Sequence, residues 1–176
     1  FKLNDQKYKY DVAFSFLKED EKIAIELNDL IQDRYKTFLY SKNQEEVAGT
    51  DGELTFNNIF GIETRIVVVL YRKKWGTTPW TRIEQTAIRN RAFENGFEFA
   101  IFIPLDERVT LPNWVPKSEI YVGLRRWGHK GTASVIEAKI QKFGGEKRIE
   151  NIHDKATRKK RELDFKEKRK NYLELE

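Results

Sequence analysis

The chain contains no cysteine and only two histidines, His129 and His153, which excludes disulfide scaffolds, thiol nucleophiles, iron–sulfur sites and zinc fingers. Chemistry here has to rest on carboxylates, hydroxyls and basic groups, and no metal site is expected. Methionine is absent even at position 1, so the chain reads as a processed form or an excised piece of a longer protein whose sensor domain or partner lies elsewhere. Long apolar runs are missing as well. The longest runs, such as IVVVL at 66–70, are far too short to span a bilayer, and no signal-peptide pattern opens the chain. The expectation is a soluble, cytoplasmic protein without a membrane partner. Neither G-x-G-x-x-G after the first strand nor G-x-x-x-x-G-K-[ST] occurs, which argues against dehydrogenase-type cofactor cradling and P-loop hydrolysis.

What is present bounds the architecture. A chain of 176 residues can bury one proper core, so residues 1–145 are read as one domain and residues 146–176 as a charged helical linker or arm. The formal charge is +5. From Glu146 to Glu176 there are eleven Lys and Arg against eight Asp and Glu, which leaves +3 in the tail and +2 in the body. Interspersed charges of both signs mark a solvated helix rather than a phosphate-binding stripe, so nucleic acid is an unlikely partner. Within the tail, Ile149, Ile152, Ala156 and Leu163 stand at near-heptad spacing before lysines interrupt the stripe.

The body alternates strand and helix patterns. Tyr10–Phe16 (YDVAFSF) reads as a mostly buried first strand, and a helical stripe of Ile23, Ala24, Leu27, Leu30 and Ile31 follows, with Asp20 as its N-cap. Tyr35–Ser41 reads as the second strand and Arg65–Tyr71 as the third, with a short helix around Glu53–Gly61 between them. A helix over Pro79–Asn95 is bounded by a proline suited to its start and Gly96 suited to its end. Phe97–Asp106 supplies a fourth strand, Ser118–Leu124 a fifth, and Thr132–Phe143 a closing helix. Strands joined by helix-length connections imply a parallel sheet covered on both faces. The expected fold is therefore α/β, a flavodoxin-like three-layer sandwich with a five-stranded parallel sheet in the order 2-1-3-4-5. Its ligand crevice lies beyond the carboxyl ends of the first and third strands.

Glu84 is the residue that most needs explaining. With Ile83 at zero and about 100° per residue, Ala87, Ile88 and Ala92 fall near 40°, 140° and 180°, and Glu84 near 100° falls inside that apolar arc. An ionised carboxylate facing a core is costly unless paired or used. Arg91, near 80° on the same stripe, offers an ion pair as the structural explanation. The predicted crevice, fed by Phe16–Glu19 from the first strand and Tyr71–Trp75 from the third, offers a functional one.

In order along Tyr8–Phe143, the residues resemble the Toll/interleukin-1 receptor (TIR) domain family. YDVAFSF resembles its opening box. The loop through Val47-Ala48-Gly49 stands in the place of its BB loop. RIVVVLYRKKWGTTPWTRIE resembles its third strand and following helix, with Trp80 four positions before Glu84, and WGHKG with the last helix also fits in order. In the prokaryotic NAD+-cleaving branch the matching glutamate breaks the nicotinamide–ribose bond, so the resemblance implies that role for Glu84. Trp80 becomes the aromatic beside the site, and Phe14, Ser15, Phe16, Leu17 and Lys18 its lining, although plain core packing is favoured for at least one of the two phenylalanines. The BB loop, roughly residues 42–56, would gate access. Two positions depart from the pattern. Phe38-Leu39-Tyr40 stands where many enzymatic members carry an acid, the nearest acids being Glu45 and Glu46, and Tyr71 replaces a frequent serine.

The resemblance implies an assembly-dependent NAD+ nucleosidase (NADase) acting in bacterial defence, with NAD+ as substrate, no cofactor, and homotypic TIR–TIR self-association. The leaving nicotinamide is neutral and needs no protonation, so one carboxylate suffices where ordinary glycosidases use two. Lys18, Arg72, Lys73 and Lys74 stand where a diphosphate would pass, although an ordinary surface charge is the favoured reading of each, and Trp75 is an aromatic for stacking or for packing. Tyr40 and Tyr71 complete the candidate binding set. A non-catalytic TIR interaction module and a nucleoside deoxyribosyltransferase-like enzyme remain as alternatives.

Overall fold

The computed structural model describes residues 8–43, 47–108, 111–116 and 123–174. Four strands, β1 (Tyr10–Ser15), β2 (Thr37–Phe38), β3 (Thr64–Tyr71) and β4 (Ala100–Pro104), pair in parallel in the order β2-β1-β3-β4. Ser15 stands beside Val69, and Tyr71 beside Pro104, so the strand ends form one edge. The α/β class and the order 2-1-3-4 follow the sequence reading, but the sheet of the described residues has four strands instead of five. Residues 118–122 of the expected fifth strand lie outside the described residues, and Leu124, expected to end it, opens a helix.

The helices are α1 (Glu21–Asp29), α2 (Gly52–Asn58), α3 (Pro79–Asn95), α4 (Leu124–Lys142) and α5 (Ile152–Glu174). Alternation along the strands divides the core into two layers, because successive side chains point to opposite faces. Val12, Phe14, Ile66, Val68 and Leu70 pack against Ala24 and Leu27 of α1 and Ala133, Ile136 and Ile140 of α4. Ala13, Val67, Val69 and Tyr71 pack against Phe56, Ile59 and Phe60 and against Ala87, Ile88 and Ala92 of α3. β3 has both faces covered, which is why it carries the uninterrupted run Ile66–Leu70, every residue of it fully buried.

Helix α3 occupies the range its sequence predicts, Pro79–Asn95. Thr78 caps it by accepting from the Thr81 backbone N–H, Pro79 opens it where a missing N–H costs nothing, and Gly96 ends it at a φ of 86°. Other elements differ. The second strand is only two residues long, and β4 starts at Ala100 instead of Phe97. Helical backbone begins at Leu124, eight residues before Thr132, but Gly128, at φ 68° and ψ 176°, is not helical, so a short first turn meets the closing helix there at a kink. Asp20 makes no side-chain cap to α1; a short 3₁₀ turn, Lys18–Asp20, precedes that helix. A π-helical turn, Ile59–Glu63, continues α2 into β3. Among the described residues no helix is long and apolar enough to cross a membrane.

Candidate functional site

Pro79 and the Thr78 cap fix where α3 begins, and one and a half turns later Glu84 meets the sheet. It is 7% exposed. Its partner is the Ser15 hydroxyl at the last position of β1, which donates to Glu84 Oε2. Ser15 Oγ in turn accepts from Trp75 Nε1 at 2.9 Å. The result is a directed chain, indole N–H to hydroxyl to carboxyl, between the ends of β1 and β3 and the first turns of α3. This is the edge where the strand order reverses.

The ion-pair explanation for Glu84 does not hold. Arg91 is equally buried, but its guanidinium donates to backbone carbonyls: Nη1 to Thr64 at 2.6 Å and Phe60 at 3.3 Å, and Nη2 to Arg65 at 3.3 Å. Its Cζ lies over the Phe99 ring, 4.1 Å from the ring centre. The carbonyls it satisfies are those where the π-helical turn gives way to β3. Burial therefore acts on Glu84 with only a neutral hydroxyl against it, and its carboxyl group is pushed up to about 8. At neutral pH the resting site holds a protonated acid.

Arg72 is committed too. Its Nε lies 2.9 Å from both carboxylate oxygens of Asp20, and Nη1 is 3.4 Å from Asp106 Oδ1. Asp106 also accepts from the Lys73 backbone N–H at 3.1 Å. Asp20 thus stands at the N-cap position of α1 but spends its carboxylate on Arg72 instead of the helix, and Arg72, read as a surface charge or a diphosphate contact, is held by two carboxylates. Burial raises the Asp20 carboxyl, and Arg72 opposes the rise. The signal for this clasp was present in sequence, since each of the three residues follows closely on the end of a parallel strand. Lys18, Lys73 and Lys74 are exposed at the same edge.

The remaining predicted residues divide into three groups. Leu17, Tyr71 and Trp75 are buried in the layer that contains Glu84, and Tyr71 and Phe102 meet the Trp75 ring edge-on at centroid distances of 6.0 Å and 6.5 Å. Phe14 and Phe16 belong to the opposite layer, with α1 and α4; both are core packing and neither lines the Glu84 side of the sheet. Tyr40 and Trp80 are 40% and 52% exposed and share a partner that sequence reasoning missed. Both tilt against Phe56 at 5.4 Å. The Trp80 ring lies so close to α2 that a β-carbon at Gly52 would stand 3.0 Å from it, which accounts for glycine there. Glu45 and Glu46 lie outside the described residues.

Two clefts flank α2. One, of about 460 Å³, is lined by Asp51, Glu53, Leu54, Asn57, Arg82, Ile83 and Thr86. The other, of about 190 Å³, includes Lys9, Thr50, Thr55, Asn58 and Glu63. Glu84 lines neither. Among the described residues no cluster of three or more acidic or histidine side chains could hold a metal ion. The chain matches no protein-family model and no curated protein.

Proposed function

We propose that this chain is an NAD+ glycohydrolase of the TIR type on a flavodoxin-like sandwich, with Glu84 as the group that acts on the ribose. The observation that carries the reading is a buried glutamic acid with no cation beside it, held by Ser15 at the β1/β3 edge. A carboxyl group placed at such cost, and shifted to about 8, has the marks of a working group. In the reaction the bond between the ribose carbon and the pyridinium nitrogen breaks, and its electron pair leaves with nicotinamide as a neutral base. Glu84, protonated at rest, gives its proton to solvent as the cationic nicotinamide–ribose enters beside it, and the carboxylate then stabilises the positive charge left on the ribose. Water adds to that carbon, giving ADP-ribose and a proton; capture by an adenine nitrogen gives a cyclic product instead. Ser15 orients the carboxylate, and Trp75 orients Ser15.

Glu84 is covered in the single chain and lines neither cleft, which fits a site that opens or is completed only on self-association. The same closure favours a second reading, a non-catalytic interaction module in which Glu84 is a neutral structural acid and the exposed Tyr40 and Trp80 are contact residues. One experiment separates them. The chain is fused to an oligomerising partner and incubated with NAD+, and nicotinamide release is followed beside folded Glu84→Ala and Glu84→Gln variants. Release by the wild type alone is expected. An assembled wild type that releases nothing refutes the enzyme, and release unaffected by either substitution removes Glu84 from it.

A further inference from the structure

The tail whose charges nearly balance in sequence is not balanced in space. On one side of α5, Arg158 bonds Glu150 and Glu162 at 2.8 Å each, Glu162 accepts from Gln32 of the body, and Lys42 lies 6.0 Å over the Phe165 ring. Arg158, Glu162 and Phe165 are the partly buried positions of the helix among the described side chains, and their spacing of four and three residues makes one stripe facing the domain. Two of the tail's acids are thereby consumed.

The face beside it is different. With Ile152 at zero and about 100° per residue, Ile152, Leu163 and Ala156 fall near 0°, 20° and 40°, while Lys155, Lys166 and Lys159 fall near 300°, 320° and 340°. Lys170 falls near 0° and Lys160 near 80°, with two acids at that margin, Glu167 near 60° and Glu174, in the last turn, near 40°. Of these positions, all from Ile152 to Lys170 are exposed, Ile152 at 89% and Leu163 at 67%, and Ile149 just ahead of the helix is 97% exposed. From Ile152 to Leu163 an aliphatic strip thus runs in the open, with three lysines along one side, Lys160 on the other and Lys170 continuing its line.

We propose that this face of α5 is a peripheral docking surface for an anionic lipid bilayer. Charge complementarity selects a polyanion, and the aliphatic strip selects the bilayer among polyanions. Phosphate backbones offer nothing to an isoleucine or a leucine, whereas a headgroup layer accepts the aliphatic side chains while lysine stems lie along it and keep their ammonium groups at the phosphates. Pairing with a second copy is disfavoured, since Lys159 and Lys166 occupy the same heptad seam as Ile152 and Leu163 and would face like charges. Two large aliphatic residues make the attachment weak, reversible and salt-dependent.

The test is co-sedimentation of the whole chain with phosphatidylcholine vesicles, with or without about one third phosphatidylserine. Binding is expected only to the anionic vesicles and should weaken at least tenfold when salt is raised from about 0.1 to about 0.5 M. Lys159→Gln with Lys166→Gln should weaken it roughly 25-fold, about fivefold per lysine, and Leu163→Asn roughly tenfold. Arg161→Gln with Lys168→Gln removes the same charge near 180° and 160° on the helix, outside the face, and should cost at most a few-fold. Circular dichroism confirms that each variant stays helical. Equal losses from the two double variants, no loss with Leu163→Asn, or tighter binding to a DNA duplex than to the anionic vesicles would each overturn the proposal.

Discussion

Replacing Glu84 by glutamine should stabilise the protein, and by an amount that depends on pH in a defined direction. Glutamine keeps the shape and can still accept from Ser15, but it has no charge to desolvate. In the native state the Glu84 carboxyl titrates at about 8, against an ordinary value of 4.5. Below the ordinary value both folded and unfolded chains hold the proton, and wild type and variant should have nearly equal stability. Between the two values the unfolded chain releases a proton that the folded chain keeps, so wild-type stability falls as pH rises. At 1.36 kcal/mol per pKa unit the variant's advantage grows to about 3 kcal/mol at pH 7 and levels off near 5 kcal/mol above pH 8, both as order-of-magnitude values. The assay is urea denaturation of both proteins at half-unit steps from about pH 4 to about pH 9. Other titrating groups are common to both chains and cancel in the difference. A difference that stays flat across this range, or a wild type that gains on the variant as pH rises, would refute the account of Glu84 as a buried neutral acid.

Two further outcomes follow from the same geometry. Removing the Ser15 hydroxyl takes away the bond that opposes burial, so Ser15→Ala should move the Glu84 titration, read by carboxyl NMR, to a pH above that of the wild type; a downward move contradicts the assignment. Arg91→Lys keeps the charge but cannot bridge the Phe60, Thr64 and Arg65 carbonyls in one plane, and should cost about 2–4 kcal/mol of unfolding free energy. A cost below about 0.5 kcal/mol would mean that the junction of the π-helical turn and β3 does not depend on it.

Helix α3 was legible because every local signal agreed: Pro79 at its start, an apolar arc along its length, and Gly96 at its end. The second strand was not, because Tyr35–Ser41 has strand-forming side chains but a competing backbone partner. Asn43 Oδ1 accepts from the Leu39 N–H at 2.9 Å, and the Lys42 and Asn43 N–H groups turn back on the Leu39 carbonyl. Pairing therefore stops at Phe38. The closing helix was read from Thr132, whereas helical backbone reaches back to Leu124 across a kink at the non-helical Gly128. For the site, helical periodicity correctly placed Glu84 on a buried face, but it could not choose its partner. Arg91 lies on the same stripe, and only the three-dimensional path of the π-helical turn shows which oxygens that guanidinium reaches. The partners of Arg72 were not named for a related reason: that Asp20, Arg72 and Asp106 each follow a strand end was legible, but which of the acids at that edge the guanidinium reaches was not.

The clasp of Arg72 with Asp20 and Asp106 spans the ends of β1, β3 and β4. Because a single guanidinium serves both carboxylates, the three connections leaving this edge are mechanically one rim. Spreading β1 from β3 at the edge where Ser15 meets Glu84 strains the contact with Asp20, and moving Arg72 to relieve that strain loosens Asp106 beyond β4. The clasp thus ties three of the four strand ends to one another by a bond network that never touches Glu84.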